Sequence, residues 1–323
     1  MRLRTRLFIL ITALVAGAGT ARADGPSYAG TDGALRVAIP RLEASAEIDG
    51  DLADPVWQQA ARLMGFSQYS PDDGRPAEDE TEVLVWYSPS AIYFGIRAHA
   101  ALGSVRATLA DRDHIENDDW VQIYLATFND GRRASVFGVN PLGVQMDGAV
   151  IDGSQQGNGG GFGGLASGRE ATDLSPDFVF ESKGRLTEYG YEVELRIPFK
   201  SLRYQPTDSQ DWGIHIVRRI QSTGHEDSWV PARRSAASFL GQAGTLEDLT
   251  ALHRGLVMDL NPVVTARADG AGGGDGWTYD GHRPEFGGNV RWGLTPNLTL
   301  NATVNPDFSQ VEADATQFQF DPR

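Results

Sequence analysis

The sequence NDDWVQIYLATFNDGRRASVFGVNPLGVQMDGAV, residues 117–150, predicts antiparallel β-strands joined by tight turns. Its first part alternates between two sets of side chains, which is the period of two that a strand shows. Residues 129–131 (Asn-Asp-Gly) and 140–143 (Asn-Pro-Leu-Gly) suit tight turns, because Asn, Asp and Gly tolerate positive φ and Pro fixes φ. The core side of the first strand is formed by Val121, Ile123 and Leu125.

The opposite side of this strand is the candidate ligand face. It carries Trp120, Gln122 and Tyr124, where a solvated strand would carry small polar or charged groups. Aromatic rings stack on the C–H faces of sugars and an amide bonds their hydroxyl groups, so this combination suits a neutral ligand. The alternative is that the face packs beneath the glycine-rich residues 152–168 or beneath a second sheet.

Two more tryptophans are candidates for a ligand contact. Residues 81–99 predict a hairpin in which Trp86 and Tyr87 point to opposite faces, so only one of them belongs to the core of a simple sheet. Trp86 is therefore a further carbohydrate-binding candidate. Residues 54–64 predict a short helix with Trp57 on its apolar face, and this spacing favours a core anchor over a sugar platform.

The N-terminus has the features of a secretory signal peptide. Three arginines precede the apolar run 7–16, which is too short to span a bilayer as a stable helix, and residues 21–23 (Ala-Arg-Ala) supply a small-residue cleavage pattern. We therefore expect residues 1–23 to be removed on export. Residues 24–35, rich in Gly, Asp and Ser, predict a flexible leader.

The charge of the chain limits its partners. The 323 residues include 43 acidic and 28 basic side chains, giving a formal net charge of −15, and removal of residues 1–23 takes away four arginines. This balance argues against a nucleic-acid partner, because phosphate binding requires a surplus of Lys and Arg. The sequence contains no cysteine, so neither disulfides nor thiolate chemistry contribute.

Alternating strands and turns fill residues 36–250, which predicts an all-β antiparallel sandwich. A clear example is the strand 191–197, in which apolar residues alternate with Glu192, Glu194 and Arg196. We interpret this charged side as a solvated outer face.

The pattern changes in residues 255–323. Residues 270–276 predict a flexible loop, and residues 286–305 predict a strand, a turn and a second strand. In the second strand, neutral polar residues alternate with apolar ones, which is the pattern of an outer-membrane β-strand and also of any half-buried strand. A barrel needs at least eight strands and about three fit here. Either this region is the truncated start of a barrel, or its strands belong to the sandwich.

The metal-binding candidates lie just before Trp120. Asp113, Asp118 and Asp119 form an oxygen-rich segment that suits Ca²⁺, although the twelve-residue EF-hand spacing is missing. A solvated acidic loop is the alternative. The six histidines show neither zinc-ligand spacing nor a partner serine motif, and no cofactor is expected.

Three stretches together resemble the carbohydrate-binding family 9-like domain: residues 48–57 (IDGDLADPVW), 117–148 and 190–204 (GYEVELRIPFKSLRY). The resemblance implies a β-sandwich of the kind found on exported polysaccharide-degrading enzymes and on envelope proteins. Val304–Asp314 (VNPDFSQVEAD), supported by residues 228–234 (SWVPARR), is similar to the DUF5916 proteins, in which such a domain precedes a predicted outer-membrane barrel. The resemblance implies many more strands after Asp314, so we expect this chain to be a fragment.

Three functions follow as hypotheses. The first is a non-catalytic domain that binds a neutral polysaccharide or oligosaccharide in the periplasm or at the outer membrane of a Gram-negative bacterium. The second is the periplasmic domain of an outer-membrane barrel protein without a sugar ligand. The third is part of an O-glycosyl hydrolase, which requires two carboxylates about 5–10 Å apart across a cleft. No catalytic residue is assigned, because no carboxylate has a distinctly apolar setting in the sequence.

Overall fold

The computed structural model describes residues 25–153, 169–255, 257–266, 268–273, 276–281, 284–295 and 298–305. Within these residues the regular structure is almost entirely β-strand, with short 3₁₀ turns at Gly30–Asp32, Trp57–Gln59, Phe199–Ser201 and Leu240–Gln242. The strands are β1 (Ser27–Ala29), β2 (Arg36–Val37), β3 (Ala61–Met64), β4 (Ser67–Ser70), β5 (Thr81–Tyr87), β6 (Ala91–His99), β7 (Trp120–Ala126), β8 (Arg133–Val139), β9 (Gln145–Ile151), β10 (Glu181–Thr187), β11 (Gly190–Pro198), β12 (Ser209–Ile220), β13 (His225–Ser228), β14 (Gly244–Thr250), β15 (Val257–Thr265), β16 (Ala268–Gly273), β17 (Gly276–Gly281), β18 (Glu285–Thr295) and β19 (Leu298–Val304).

Two sheets form the sandwich. Sheet A has the order β1-β3-β5-β6-β11-β10, and sheet B has the order β2-β14-β12-β7-β8-β9, with β13 paired to β12 and β4 paired to β13. Nearly all pairs are antiparallel; β1 with β3 and β2 with β14 are parallel. Apolar side chains of β5, β6 and β11 meet those of β7, β8 and β12 in one buried core. The predicted all-β sandwich is confirmed.

The predicted turns around β8 are confirmed as well. The chain reverses between β7 and β8 with positive φ at Asn129 (47°) and Gly131 (64°), and between β8 and β9 with positive φ at Gly143 (79°). The residues that the sequence offers at these positions tolerate that conformation at low cost.

Three local predictions were wrong. Part of the expected flexible leader is strand β1, which pairs with β3. The helix expected over residues 54–64 is limited to one 3₁₀ turn at Trp57–Gln59, because Ala61 and Leu63 pair with β5 and bury their side chains there. Of the loop expected at 270–276, residues 270–273 belong to β16 and Gly276 begins β17, which pairs with β16.

The charged side of β11 is buried rather than solvated. Glu192 is 4% exposed and Glu194 is fully buried, because the segment before β3 covers this side of sheet A. Glu194 accepts hydrogen bonds from the Asp49 and Gly50 amides and from the Trp57 indole, at 2.8–2.9 Å. The alternation was therefore read correctly as a strand, but its environment was not.

Strands β15, β18 and β19 form a separate three-stranded sheet, sheet C. The register places apolar side chains of all three strands on one side, and most of them are exposed. They include Met258, Leu260, Val264, Phe286, Trp292, Leu298, Leu300 and Val304. The other side carries Asp259, Asn261, Asn289, Arg291, Asn301 and Thr303, so sheet C is apolar on one face and largely polar on the other.

Several predictions fall outside the described residues. These are the signal peptide at 1–23, nearly all of the glycine-rich stretch 152–168, and the motif Val304–Asp314 after its first two residues. Within the described part of the chain, no helix has the length and apolar character needed to cross a membrane.

Candidate functional site

The candidate ligand face predicted on β7 is the outer side of sheet B. Trp120, Gln122 and Tyr124 alternate with the core residues of β7 and therefore share this side. The structure brings these three residues together, but it does not leave them open: they are 4%, 0% and 3% exposed. A ligand therefore reaches them only if the groups that cover them move.

Two side chains from irregular segments form the cover. The Phe239 ring makes edge contacts with Tyr69 and Tyr124, at centroid distances of 5.5 and 5.4 Å. The Arg169 guanidinium lies over three rings, 5.5 Å from Tyr69, 5.9 Å from Trp120 and 5.7 Å from Phe239. Such cation–π contacts are favourable but weak, at about 1–2 kcal/mol each.

Gly148 in β9 explains how the segment carrying Arg169 approaches the sheet. Asp173 pairs with Ala149 through two backbone hydrogen bonds of 2.8 and 2.9 Å. A Cβ atom at position 148 would collide with the Asp173 carbonyl oxygen. The missing side chain therefore lets residues 169–173 cross the edge of sheet B at close range.

A buried amide lies at the centre of the face. The Tyr124 hydroxyl donates to Oε1 of Gln122 at 2.7 Å, and Nε2 of Gln122 has no hydrogen-bond partner among the described residues. Leaving a buried donor unpaired costs about 1–3 kcal/mol. The amide therefore presents two N–H groups that a ligand oxygen could satisfy.

His215 presents the complementary group. Its ring stacks on Phe239 at 4.0 Å, and its Nε2 lies 2.8 Å from the Phe239 carbonyl oxygen, which can only accept. Burial lowers the pKa of His215 to about 3, and the hydrogen bond to Phe239 opposes this shift only in part. The imidazole is therefore neutral with its proton on Nε2, and Nδ1 is an acceptor without a partner in the described structure.

Arg169 and Glu226 form a buried ion pair on the same face. Nη2 of Arg169 lies 3.0 Å from Oε2 of Glu226, and both side chains are nearly inaccessible. The contact does not have hydrogen-bond geometry, so neither atom makes a hydrogen bond within the described part of the chain. We define the outer-face cluster as Tyr69, Trp120, Gln122, Tyr124, Arg169, His215, Glu226 and Phe239.

Trp86 is not part of the outer-face cluster. It lies on the far side of sheet A, where it stacks on Tyr93 at 3.9 Å and contacts Trp57 edge-on at 6.1 Å. Both tryptophans are buried in a second apolar cluster beneath the segment that precedes β3. This position confirms the core interpretation of Trp57.

Sequence reasoning missed Tyr69, Arg169, His215, Glu226 and Phe239. Arg169 and Phe239 come from irregular segments with no periodicity to read, and Tyr69 and Glu226 come from four-residue strands. His215 carried a signal, because it alternates with Ile214 and Ile216 and so belongs to the side of β12 that faces away from the core.

The acidic candidates separate into two environments. Asp118 accepts hydrogen bonds from Thr108 and Asn140, and Asp119 accepts one from the Gln221 amide, so these two stabilise loops. Asp113 instead lies with Asp147 and Asp177, with carboxylate oxygens within 4.8 Å of one another.

The donor set around Asp113 only partly fits Ca²⁺. Three carboxylates are ligands that Ca²⁺ prefers. However, Oδ1 of Asp147 already accepts from the Arg112 guanidinium, and Oδ2 accepts from the Phe178 amide. A cation would therefore compete with Arg112 for Oδ1 of Asp147. Metal binding by Asp113, Asp118 or Asp119 stays a prediction.

The C-terminal region matches a known family. Residues 259–322 match the family model described as "Domain of unknown function (DUF5916)". The DUF5916-type region predicted from the sequence is thereby confirmed, and it begins within β15. Among curated proteins, none matches this chain.

Solved structures that are similar to the chain include carbohydrate-binding modules. A family 9 module from Caldicellulosiruptor kristjanssonii in complex with cellotriose is 16% identical, with a TM-score of 0.42, covering 66% of this chain and 92% of the module. The same family's module from that organism in complex with glucose is 15% identical, with a TM-score of 0.44 and coverage of 66% and 94%. A candidate carbohydrate-binding protein from Bacteroides uniformis ATCC 8492 is 15% identical, with a TM-score of 0.49 and coverage of 66% and 98%. The sandwich itself is established by the strand pairing described above.

Proposed function

We propose that the sandwich is a non-catalytic carbohydrate-binding domain and that its ligand contacts the outer-face cluster. The observation that carries this proposal is the set of buried polar atoms without partners, the Gln122 amide nitrogen and the His215 Nδ1, placed among aromatic rings. Buried polar groups are normally paired, so two unpaired ones that lie among aromatic rings on one face are groups that a bound ligand would pair.

The chemistry of the cluster suits a neutral sugar. A sugar hydroxyl both donates and accepts, so one hydroxyl could accept from Gln122 and another could donate to His215. The rings of Trp120 and Tyr124 would then pack against the apolar C–H faces of the sugar. Each partner that the ligand supplies removes part of the penalty of the unpaired group.

Binding requires that Arg169 and Phe239 give up their positions over the rings. The Arg169 side chain is held by ring contacts and an ion pair but by no hydrogen bond within the described residues. Its displacement breaks no hydrogen bond of the described structure but separates a buried ion pair, so the ligand must compensate Glu226, and the five N–H groups of Arg169 can bond sugar hydroxyls.

The test is calorimetric titration of the unmodified chain and of Trp120→Ala with cello- and xylo-oligosaccharides, together with the melting temperature of each. If Trp120 contacts the ligand, the variant loses sugar affinity by a larger factor than its change in stability explains. A core role alone predicts a stability loss of about 3–5 kcal/mol, with no affinity for any neutral glycan in the unmodified chain. That second result would remove the proposal.

We also propose, as a second candidate function, that the chain acts in the cell envelope and that sheet C contacts the outer membrane. What supports this is the one-sided apolar character of sheet C, since lipid-facing strands alternate apolar and polar residues in this way. The predicted signal peptide at 1–23 agrees with this setting.

Co-sedimentation with phosphatidylcholine vesicles tests the membrane contact. Phe286→Asp places a charge on the apolar face and should abolish co-sedimentation. Asn289→Asp is the control, because it adds the same charge to the same strand on the opposite face. Equal loss in both variants, or no binding by the unmodified chain, would contradict this second function.

A further inference from the structure

A cavity of about 690 Å³ lies between the sandwich and sheet C, away from the outer-face cluster. Its walls come from β7, β8 and β9, from residues 176–179 and 200–203, and from the polar side of sheet C around Asp259 and Arg291. This volume falls in the range of small-molecule sites, which is about 300–1,000 Å³. The cavity is therefore large enough for more than a single inorganic ion.

The lining of the cavity is basic. It contains five cationic side chains and two carboxylates, from Asp177 and Asp259. The cations are Arg133, Lys200, Arg203, Arg254 and Arg291. In a chain with a formal net charge of −15, this local surplus of positive charge is the reverse of the overall balance.

Four of these cations lack an ion-pair partner. Arg133 pairs with Asp130 at 3.2 Å, whereas Lys200, Arg203, Arg254 and Arg291 pair with no carboxylate in the described part of the chain. The Nε atom of Arg254 is also buried without a hydrogen-bond partner there. Cations around one cavity repel one another. A bound anion would be attracted to each of them and so offset this repulsion.

The walls strengthen any such attraction. Phe128, Val150 and Phe178 line the same cavity and present apolar surface next to the charges. Walls of low dielectric constant concentrate the field of nearby charges, so an anion inside experiences a larger potential than it would on an open surface. Four of the five cations are arginines, whose planar guanidinium groups match the oxygens of phosphate and carboxylate groups.

We propose that this cavity binds a multiply charged oxyanion, such as the phosphate or diphosphate group of a phosphorylated sugar or of a lipid headgroup. The volume exceeds what one phosphate fills, so the remainder of the ligand lies against the apolar walls. The site is separate from the neutral-sugar face, because the two share no residue. Failure of one proposal therefore leaves the other intact.

The probe is inorganic pyrophosphate, titrated into the full chain by calorimetry at low and high NaCl concentration. Binding should weaken with salt, because counterions screen exposed charges. The double variant Arg203→Gln/Arg254→Gln should weaken binding by about tenfold or more, since two of the unpaired cations are removed. Its circular dichroism spectrum should match that of the unmodified chain.

The matched control is Arg75→Gln/Lys183→Gln, which removes two exposed cations outside the cavity. It should leave pyrophosphate affinity unchanged. The proposal is overturned if pyrophosphate does not bind and if the cavity substitutions also leave co-sedimentation with phosphatidylglycerol vesicles unchanged. It is also overturned if both double variants lose affinity equally.

Vesicles distinguish the two sources of the phosphate group. We compare phosphatidylcholine vesicles with and without phosphatidylglycerol, and follow the gain in co-sedimentation that the anionic lipid causes. If Arg203→Gln/Arg254→Gln abolishes this gain in co-sedimentation, the ligand is a lipid headgroup. Pyrophosphate binding without such a gain identifies a soluble phosphorylated ligand.

Discussion

Phe94 and Phe286 illustrate how differently the two regions of this molecule treat apolar side chains. Phe94, in β6, is fully buried between sheets A and B, whereas Phe286, in β18, is 70% exposed on sheet C. Both lie in regular antiparallel strands with similar alternation. Strand pattern alone therefore does not indicate whether a face is covered; that depends on what the rest of the chain places over it.

In the sandwich, other segments of the chain cover even the outer sides of sheets A and B. The segment before β3 covers sheet A through Trp57, and Arg169 and Phe239 cover sheet B. Sheet C has no comparable cover among the described residues over its apolar side. We expect the sandwich to be stable by itself and sheet C to need a further surface.

Matched truncations of the two phenylalanines should differ strongly in their effect on stability. Phe94→Ala should lower the free energy of unfolding by about 3–5 kcal/mol, because it leaves a cavity in the core. Phe286→Ala should change it by less than about 0.5 kcal/mol in detergent-free buffer, because the ring is exposed. Urea denaturation of both variants measures this. Similar losses in the two would show that sheet C packs against something as closely as the core does.

The cover of sheet A rests on Glu194. Glu194→Ala should cost about 3 kcal/mol, because the Asp49 and Gly50 amides and the Trp57 indole would lose their common acceptor. Glu181→Ala on the neighbouring strand β10 is the control, since its ion pair with Arg196 is solvent-exposed and should contribute little. Denaturation midpoints compare the two. A small loss for Glu194→Ala would mean that the segment before β3 is held in another way.

Asp227, which lies in β13, predicts how the stability of the fold depends on pH. Burial raises the pKa of Asp227 to about 6, and Arg218 opposes this shift only in part. The folded state then binds the proton more tightly than the unfolded state, whose pKa is about 3.9. The protonated Asp227 of the folded state is therefore favoured at pH 4. As the pH rises toward 6 and above, ionisation of Asp227 lowers the free energy of unfolding by roughly 2–3 kcal/mol.

Asp227→Asn should remove this loss. The variant should be more stable than the unmodified chain at pH 7.5, with the difference shrinking toward pH 4. Urea unfolding of both proteins across this pH range measures it. A difference that stays constant with pH would show that Asp227 does not titrate in this window.

Much of the sandwich was predictable from local sequence. The strands of residues 117–150 and their turns follow from alternation and from Asn, Gly and Pro at fixed positions, and so does the hairpin β5–β6. The burial of Glu192 and Glu194 was not predictable, because it depends on a segment about 140 residues earlier in the chain. Charged residues on one side of a strand usually face solvent, and here that rule was wrong.

The candidate site was predictable to the extent that one strand contributes to it. Trp120, Gln122 and Tyr124 do share a face away from the core, but their cover comes from residues 169 and 239, which no local pattern connects to β7. Trp86 is a candidate in the sequence because it and Tyr87 point to opposite faces of β5, but in the structure both faces are buried. Side-chain alternation reports which side of a strand a residue occupies, and not what covers that side.

Gln122 and Gln210 are two buried amides whose replacement should lower stability by less than Phe94→Ala or Glu194→Ala does. Gln122 in β7 accepts a hydrogen bond from the Tyr124 hydroxyl on the outer face of sheet B. Gln210, near the start of β12, accepts a hydrogen bond from the Trp212 indole. Replacing either by Met removes an acceptor and should cost about 1 kcal/mol. For Gln122 the loss is offset in part, because the unpaired Nε2 is removed as well.

Calorimetric titration of the Gln122→Met and Gln210→Met variants with cello- and xylo-oligosaccharides tests the carbohydrate-binding role of the outer-face cluster most directly. We predict that Gln122→Met keeps its stability within about 1 kcal/mol and loses measurable affinity for the oligosaccharide that the unmodified chain binds. Gln210→Met should retain that affinity. If both variants bind the sugar as the unmodified chain does, the ligand does not contact the outer-face cluster, and the proposed sugar site is wrong.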